Sequence, residues 1–124
     1  MGLAMSAMAF GADSDLIGKW SRPTQWADNN VVETITLAKD NTYRFDIRTP
    51  DGVVLAEQSG KWTVRSGMLT TSPQTCSITD MQGKLILDTS NCAEHSTPFA
   101  VQGNTLAVPV QNGSRSSERV YQRK

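Results

Sequence analysis

Apolar and polar positions alternate with period two along most of the chain. Between Thr42 and Arg48, Tyr43, Phe45 and Ile47 alternate with Arg44, Asp46 and Arg48. One apolar face and one charged face is the pattern of a half-buried antiparallel strand. Trp62 and Val64 alternate in the same way with Lys61, Thr63 and Arg65. In the stretch from Val31 to Lys39, Ile35 and Leu37 share a face, and Glu33 has their parity. An acid there is expected at the strand end or beside a bulge that resets the register. Shorter apolar runs predict further strands at Gly18–Arg22, Val53–Glu57, Met68–Thr71, Cys76–Thr79, Lys84–Asp88, Phe99–Val101, Thr105–Val110 and Glu118–Arg123. Pro23 and Pro73 are expected to weaken or end the strands they follow.

Turn chemistry separates these runs. In Pro50-Asp51-Gly52, Pro presets its own φ, Asp bonds nearby backbone and Gly accepts a positive φ. Ser59-Gly60 marks a bend or bulge. Ser66-Gly67, Asp80 to Gly83, Gln102-Gly103-Asn104 and Asn112-Gly113-Ser114 read as turns, and Gln25–Asn30 and Ser90–Pro98 as polar loops. Asp13-Ser14-Asp15 reads as a cap before Leu16 and Ile17. Helical periodicity is nowhere sustained. Short strands with turn signals every eight to twelve residues or so predict an all-β fold, a small antiparallel up-and-down barrel of about eight strands. Gly18-Lys19-Trp20 recurs as Gly60-Lys61-Trp62, too short an echo to define a repeat.

A chain of 124 residues is one domain with one core. Lys+Arg and Asp+Glu both number 12, so no bulk charge draws it to nucleic acid or anionic membrane, and no nucleic-acid partner is expected. The C-terminal Arg115, Arg119, Arg123 and Lys124 read as a solvated last strand. Residues 1–12 carry no charge, are rich in Ala and Met and end in small residues. They read as a signal-peptide remnant or leader, too short to span a bilayer, ahead of a single domain at 13–124. Cys76 and Cys92, an even pair in a small chain with such a leader, predict a disulfide and a periplasmic or secreted protein. Two Cys and one distant His are too few ligands for zinc, so no metal and no cofactor are expected. The chain is expected to be a monomer.

Gly18-Lys19-Trp20, Thr34-Ile35-Thr36-Leu37, Lys39 to Tyr43, Gly60-Lys61-Trp62-Thr63-Val64, Gly67-Met68-Leu69 and Val120-Tyr121-Gln122-Arg123 together resemble the small bacterial lipocalin-like domains. Those are exported antiparallel barrels of about eight strands that open on Gly-x-Trp. The resemblance implies that Trp20 closes one barrel end beneath a basic residue of the last strand, Arg119 or Arg123. An arginine over an indole is a sound cation–π contact. A weaker resemblance is to the periplasmic inhibitors of bacterial metalloproteases, which share the barrel, one disulfide and the Gly-x-Trp opening. In that family the cysteines fall in the first half of the chain; Cys76 and Cys92 fall in the second.

Candidate chemistry is sparse. His95 stands in a polar loop beside Glu94 and Ser96 with no nucleophile-elbow motif, and reads as a surface histidine. Acids such as Asp46, Asp51 and Asp88 are scattered, each beside a basic or turn residue, with no pair set for general acid–base work. The chain is therefore read as non-enzymatic. Two classes of function are open. One is an exported barrel that binds a small apolar ligand, with Trp26, Tyr43, Phe45, Trp62 and Phe99 as its lining and Trp26 as a lid. The other is an envelope protein-binding module, a protease inhibitor, immunity or adaptor protein, whose partner is an envelope protein.

Overall fold

A computed structural model describes residues 15–26, 28–80, 82–88, 92–112 and 115–124, with side chains described outside 110–112, 115 and 116. The leader at 1–12, Asp13-Ser14, Met81 and Gly113-Ser114 lie outside the described residues. Ten antiparallel strands make one sheet among the described residues: β1 (Gly18–Trp26), β2 (Asn29–Leu37), β3 (Thr42–Arg48), β4 (Val54–Arg65), β5 (Met68–Thr79), β6 (Leu85–Leu87), β7 (His95–Pro98), β8 (Ala100–Gln102), β9 (Thr105–Asn112) and β10 (Arg115–Arg123). The fold is all-β, as the period-two pattern predicts.

The ladder runs β6-β5-β4-β3-β2-β1-β10-β9-β8, and β7 pairs with β5. Met68 faces Pro98 across the β5–β7 pair, and Ala107 faces Ala100 across β9–β8. Phe99 alone separates β7 from β8. Residues 95–102 are therefore one piece of chain shared between β5 and β9, with the change of partner at Phe99. With β1 to β5, β9 and β10, that piece accounts for the curved sheet. β6 is an additional short strand on the outer half of β5.

The prolines do not break their strands, for a geometric reason. The Lys124 N–H donates to the Lys19 carbonyl at 2.8 Å, so alternate residues from Lys19 turn their backbone towards β10. Pro23 has that parity, and the β1–β10 ladder already ends at Ser21 opposite Gln122. Its missing N–H falls on the unpaired side, and the ladder to β2 continues unbroken through Pro23 and Val32 to Trp26 and Asn29. Pro73 sits opposite Gly60, where the β4–β5 register shifts and Gln74 becomes the extra residue. The sequence marks a bend or bulge at Ser59-Gly60; β4 runs through those residues as a single long strand, and the bulge lies opposite them in β5. Gly60 is required there, because a Cβ would stand 2.1 Å from the Ser72 carbonyl oxygen.

Glu33 corrects the sequence reading. The β1–β2 and β2–β3 registers are regular around it, with Arg22 and Ile47 directly opposite. It stands on the inner face and is buried. What makes this tolerable is Arg22, whose Nε–H donates to Glu33 Oε1 at 2.5 Å from the adjacent strand. A buried carboxylate needs such a partner.

Candidate functional site

The inner face divides into a packed end and an open end. Leu16, Trp20, Leu37, Trp62, Phe99 and Leu106 fill the first, all buried in one cluster. Both tryptophans of the two Gly-Lys-Trp runs satisfy their indole N–H on a backbone carbonyl, Trp20 on Leu16 and Trp62 on Ala38, each at 2.9 Å. The Arg123 guanidinium lies over the Trp20 ring, 4.1 Å from its centroid. Its two terminal nitrogens donate to the carbonyls of Ile17 at 2.8 Å and Asp15 at 2.9 Å. Gly18 has a φ of 141°, and a Cβ there would meet the guanidinium at 2.7 Å. Glycine at the head of the first Gly-Lys-Trp therefore leaves the room in which Arg123 covers Trp20.

The open end holds a cavity of about 390 Å³. Tyr43, Leu69 and Tyr121, members of the buried cluster, form its floor, and Ile35, Phe45 and Val108 its apolar walls. Gln58, Thr71 and Thr97 add polar wall groups, and Ala93, Glu94, His95 and Arg119, all exposed, border it towards solvent. β10 supplies three inner positions in succession: Arg123 over Trp20, Tyr121 in the floor and Arg119 at the rim.

Cys76 and Cys92 are joined, as the sequence predicts, with their Cα atoms 5.8 Å apart. The bridge fixes the start of the rim segment to β5. Ser72 Oγ–H donates to Glu94 Oε1 at 2.9 Å, and His95 stands opposite Thr71. The disulfide, this hydrogen bond, the Arg65–Glu94 ion pair at 4.0 Å and the start of the β5–β7 ladder thus hold Ala93, Glu94 and His95 beside the cavity.

Polar groups inside are already partnered. The Tyr43 hydroxyl donates to Gln58 Oε1 at 2.9 Å. Burial pushes its phenol above the ordinary range, partly offset by a hydrogen bond with Thr71. Burial also pushes the Tyr121 phenol up, and the nearby Glu33 carboxylate adds to the shift. The Arg22 guanidinium lies 5.7 Å from the Tyr121 ring centroid. Among the described residues no buried side-chain nitrogen or oxygen lacks a hydrogen-bond partner, and no group of three or more His, Cys, Asp or Glu is placed to hold a metal.

Of the expected lining, the structure brings Tyr43 and Phe45 to the cavity and leaves three residues out. Trp62 packs in the filled end, level with the β2–β3 turn, where its backbone N–H donates to the Asn41 carbonyl at 2.8 Å. Phe99 is buried where the shared segment changes partner. Trp26 ends β1 opposite Asn29 and is 37% exposed, and it does not line the cavity. Arg119 borders the cavity, and Arg123 alone covers Trp20. His95 begins a strand at the rim, where the sequence suggests only a polar loop. Tyr121, Leu69 and Val108 carry period-two signals, yet only the strand order shows that they face Tyr43 and Phe45. No protein-family model matches the chain, and no curated protein matches it in sequence.

Proposed function

We propose that this chain is a non-enzymatic, exported binding protein whose curved sheet holds a small, mostly apolar ligand at its open end. The observation that carries the reading is the cavity of about 390 Å³, walled by aromatic and aliphatic side chains. Its size lies in the range of small-molecule sites, which combine apolar walls with a few placed polar groups. Most of the wall is apolar, from Ile35, Phe45, Leu69 and Val108 with the rings of Tyr43 and Tyr121, and burying apolar surface is what a ligand would gain. Export agrees with the disulfide, which persists in oxidising compartments. The lipocalin-like resemblance agrees with a barrel that binds through its interior.

Titration with an apolar fluorescent probe, together with native mass spectrometry, tests the proposal. Saturable one-to-one probe uptake, weakened by Phe45→Ala, is the expected result. A protein that takes up no probe at about 100 μM, a concentration at which even weak specific sites fill, and that flies as the bare chain, overturns it. The envelope protein-binding reading then takes its place.

A further inference from the structure

We infer that the ligand of the open end is a single-tailed carboxylate, its head group held at the rim by Arg119 and its tail laid against the apolar walls. The inference rests on the apolar-ligand reading above and adds the charge of the head group.

Arg22 on β1 shares the parity of Trp20, and Arg119 and Arg123 on β10 share that of Tyr121, so all three turn towards the inner face. Two of them are occupied within the fold. Arg22 donates to Glu33. Arg123 covers Trp20 and donates to two backbone carbonyls. Arg119 differs: it is exposed, it borders the cavity, and it forms no ion pair among the described residues. Of the chain's 12 acids, all but Asp13 are among the described residues. Neither Thr89-Ser90-Asn91, beside the rim, nor the stretch 110–116, beside Arg119, contains an acid.

The Arg119 guanidinium is aimed at the cavity. It lies close enough to the Tyr121 hydroxyl to lower a phenol that burial raises, and Tyr121 forms the floor. Glu94 is the one acid bordering the cavity among the described residues, and it is engaged elsewhere. Ser72 donates to its Oε1, and Arg65 Nη2 stands 4.0 Å from its Oε2. Arg119 is thus the one permanent cation of the described lining, set where apolar wall gives way to solvent. A guanidinium matches a carboxylate in charge and in planar two-point geometry. An alcohol in the same place gains only a neutral hydrogen bond, and a quaternary ammonium is repelled. A phosphate monoester brings close to two charges to a single arginine.

Displacement of the neutral fluorophore phenylnaphthylamine from the full, oxidised chain by decanoate, decanol and decyltrimethylammonium tests the inference at neutral pH. Decanoate should compete about tenfold better than decyltrimethylammonium, the low end of what a charged hydrogen bond gives, because Arg119 is exposed. Raising salt from about 20 mM to about 500 mM should weaken decanoate and not decanol, since only the former depends on unscreened charge. Arg119→Gln should weaken decanoate about tenfold and leave the fluorophore and decanol unchanged. Lys61→Gln removes the same charge from an exposed position of β4 that does not line the cavity, and should change none of the three. Melting curves show that each variant is folded; if Arg119→Gln is not, Arg119→Lys and the salt series on the wild type decide, the lysine losing the two-point contact and weakening decanoate alone. Fluorophore and decanol that bind while decanoate is insensitive to Arg119→Gln and to salt overturn the inference and leave the apolar-ligand reading standing. So does an equal loss of decanoate affinity in Lys61→Gln, which would mean general attraction in place of a contact. A protein that binds none of the four compounds overturns both.

Discussion

Trp62→Ala and Phe45→Ala should separate the packed end of the sheet from the open end. Trp62 is 2% exposed and belongs to the buried cluster. Truncation removes most of its side chain and leaves a void that its neighbours refill only in part. Such substitutions cost about 3–5 kcal/mol. The indole hydrogen bond to Ala38 adds little, because the Ala38 carbonyl also accepts the Asn41 N–H at 3.0 Å and is not orphaned. A loss of about 4 kcal/mol is expected, a fall in melting temperature of about 15 °C for a domain of this size. Phe45 is half-buried and already borders the cavity. Removing its ring enlarges an existing space, so the cavity part of the cost shrinks and about 1–2 kcal/mol is expected. Urea denaturation of both variants, with the slope checked against the wild type, gives the free energies. Probe titration gives the second readout: Phe45→Ala should change affinity, and Trp62→Ala should leave it unchanged at temperatures where the variant is folded. A Trp62→Ala cost below about 2 kcal/mol, well under the core range, would refute this division of the interior. So would a larger change in probe affinity for Trp62→Ala than for Phe45→Ala.

Two further predictions concern the polar groups of the interior. Arg22→Met leaves Glu33 buried without its counter-charge and should cost about 3 kcal/mol, towards the lower end of the usual range because the Arg22 side chain is 21% exposed; Arg22→Met/Glu33→Leu should recover most of that loss, and equal losses in the single and double variants would show that the ion pair is not what holds Glu33. Tyr43 and Tyr121 are the only tyrosines, and burial raises both phenols in the folded protein. Their stabilising contribution is full below the ordinary phenol value near 10 and is lost as pH rises through the folded values; phenolate absorbance should therefore develop at higher pH in the native protein than in urea, and superimposable curves would contradict the burial.

The chain by itself determines the existence of most strands, though not of β7, the inward parity of most strands and the disulfide. Those properties are local or combinatorial. Side chains alternate faces every residue in a strand, so Tyr43, Phe45 and Ile47 declare a face without reference to any neighbour. Gly60 marks the place where the β4–β5 register shifts, and an even pair of cysteines has one pairing. Tertiary structure alone decides what each face meets. Glu33 looks misplaced in sequence because its partner, Arg22, is brought opposite it only by the β1–β2 register. Pro23 looks like a strand end because the side its missing N–H faces depends on where β10 stops. Trp62 has the right parity for a ligand wall, but parity says nothing of depth along the strand, and depth separates the packed end from the open one. The cavity draws on β2, β3, β4, β5, β7, β9 and β10 together with the disulfide-held rim. A site assembled from strands so far apart in the chain is a property of strand order, which hydrophobic period does not encode.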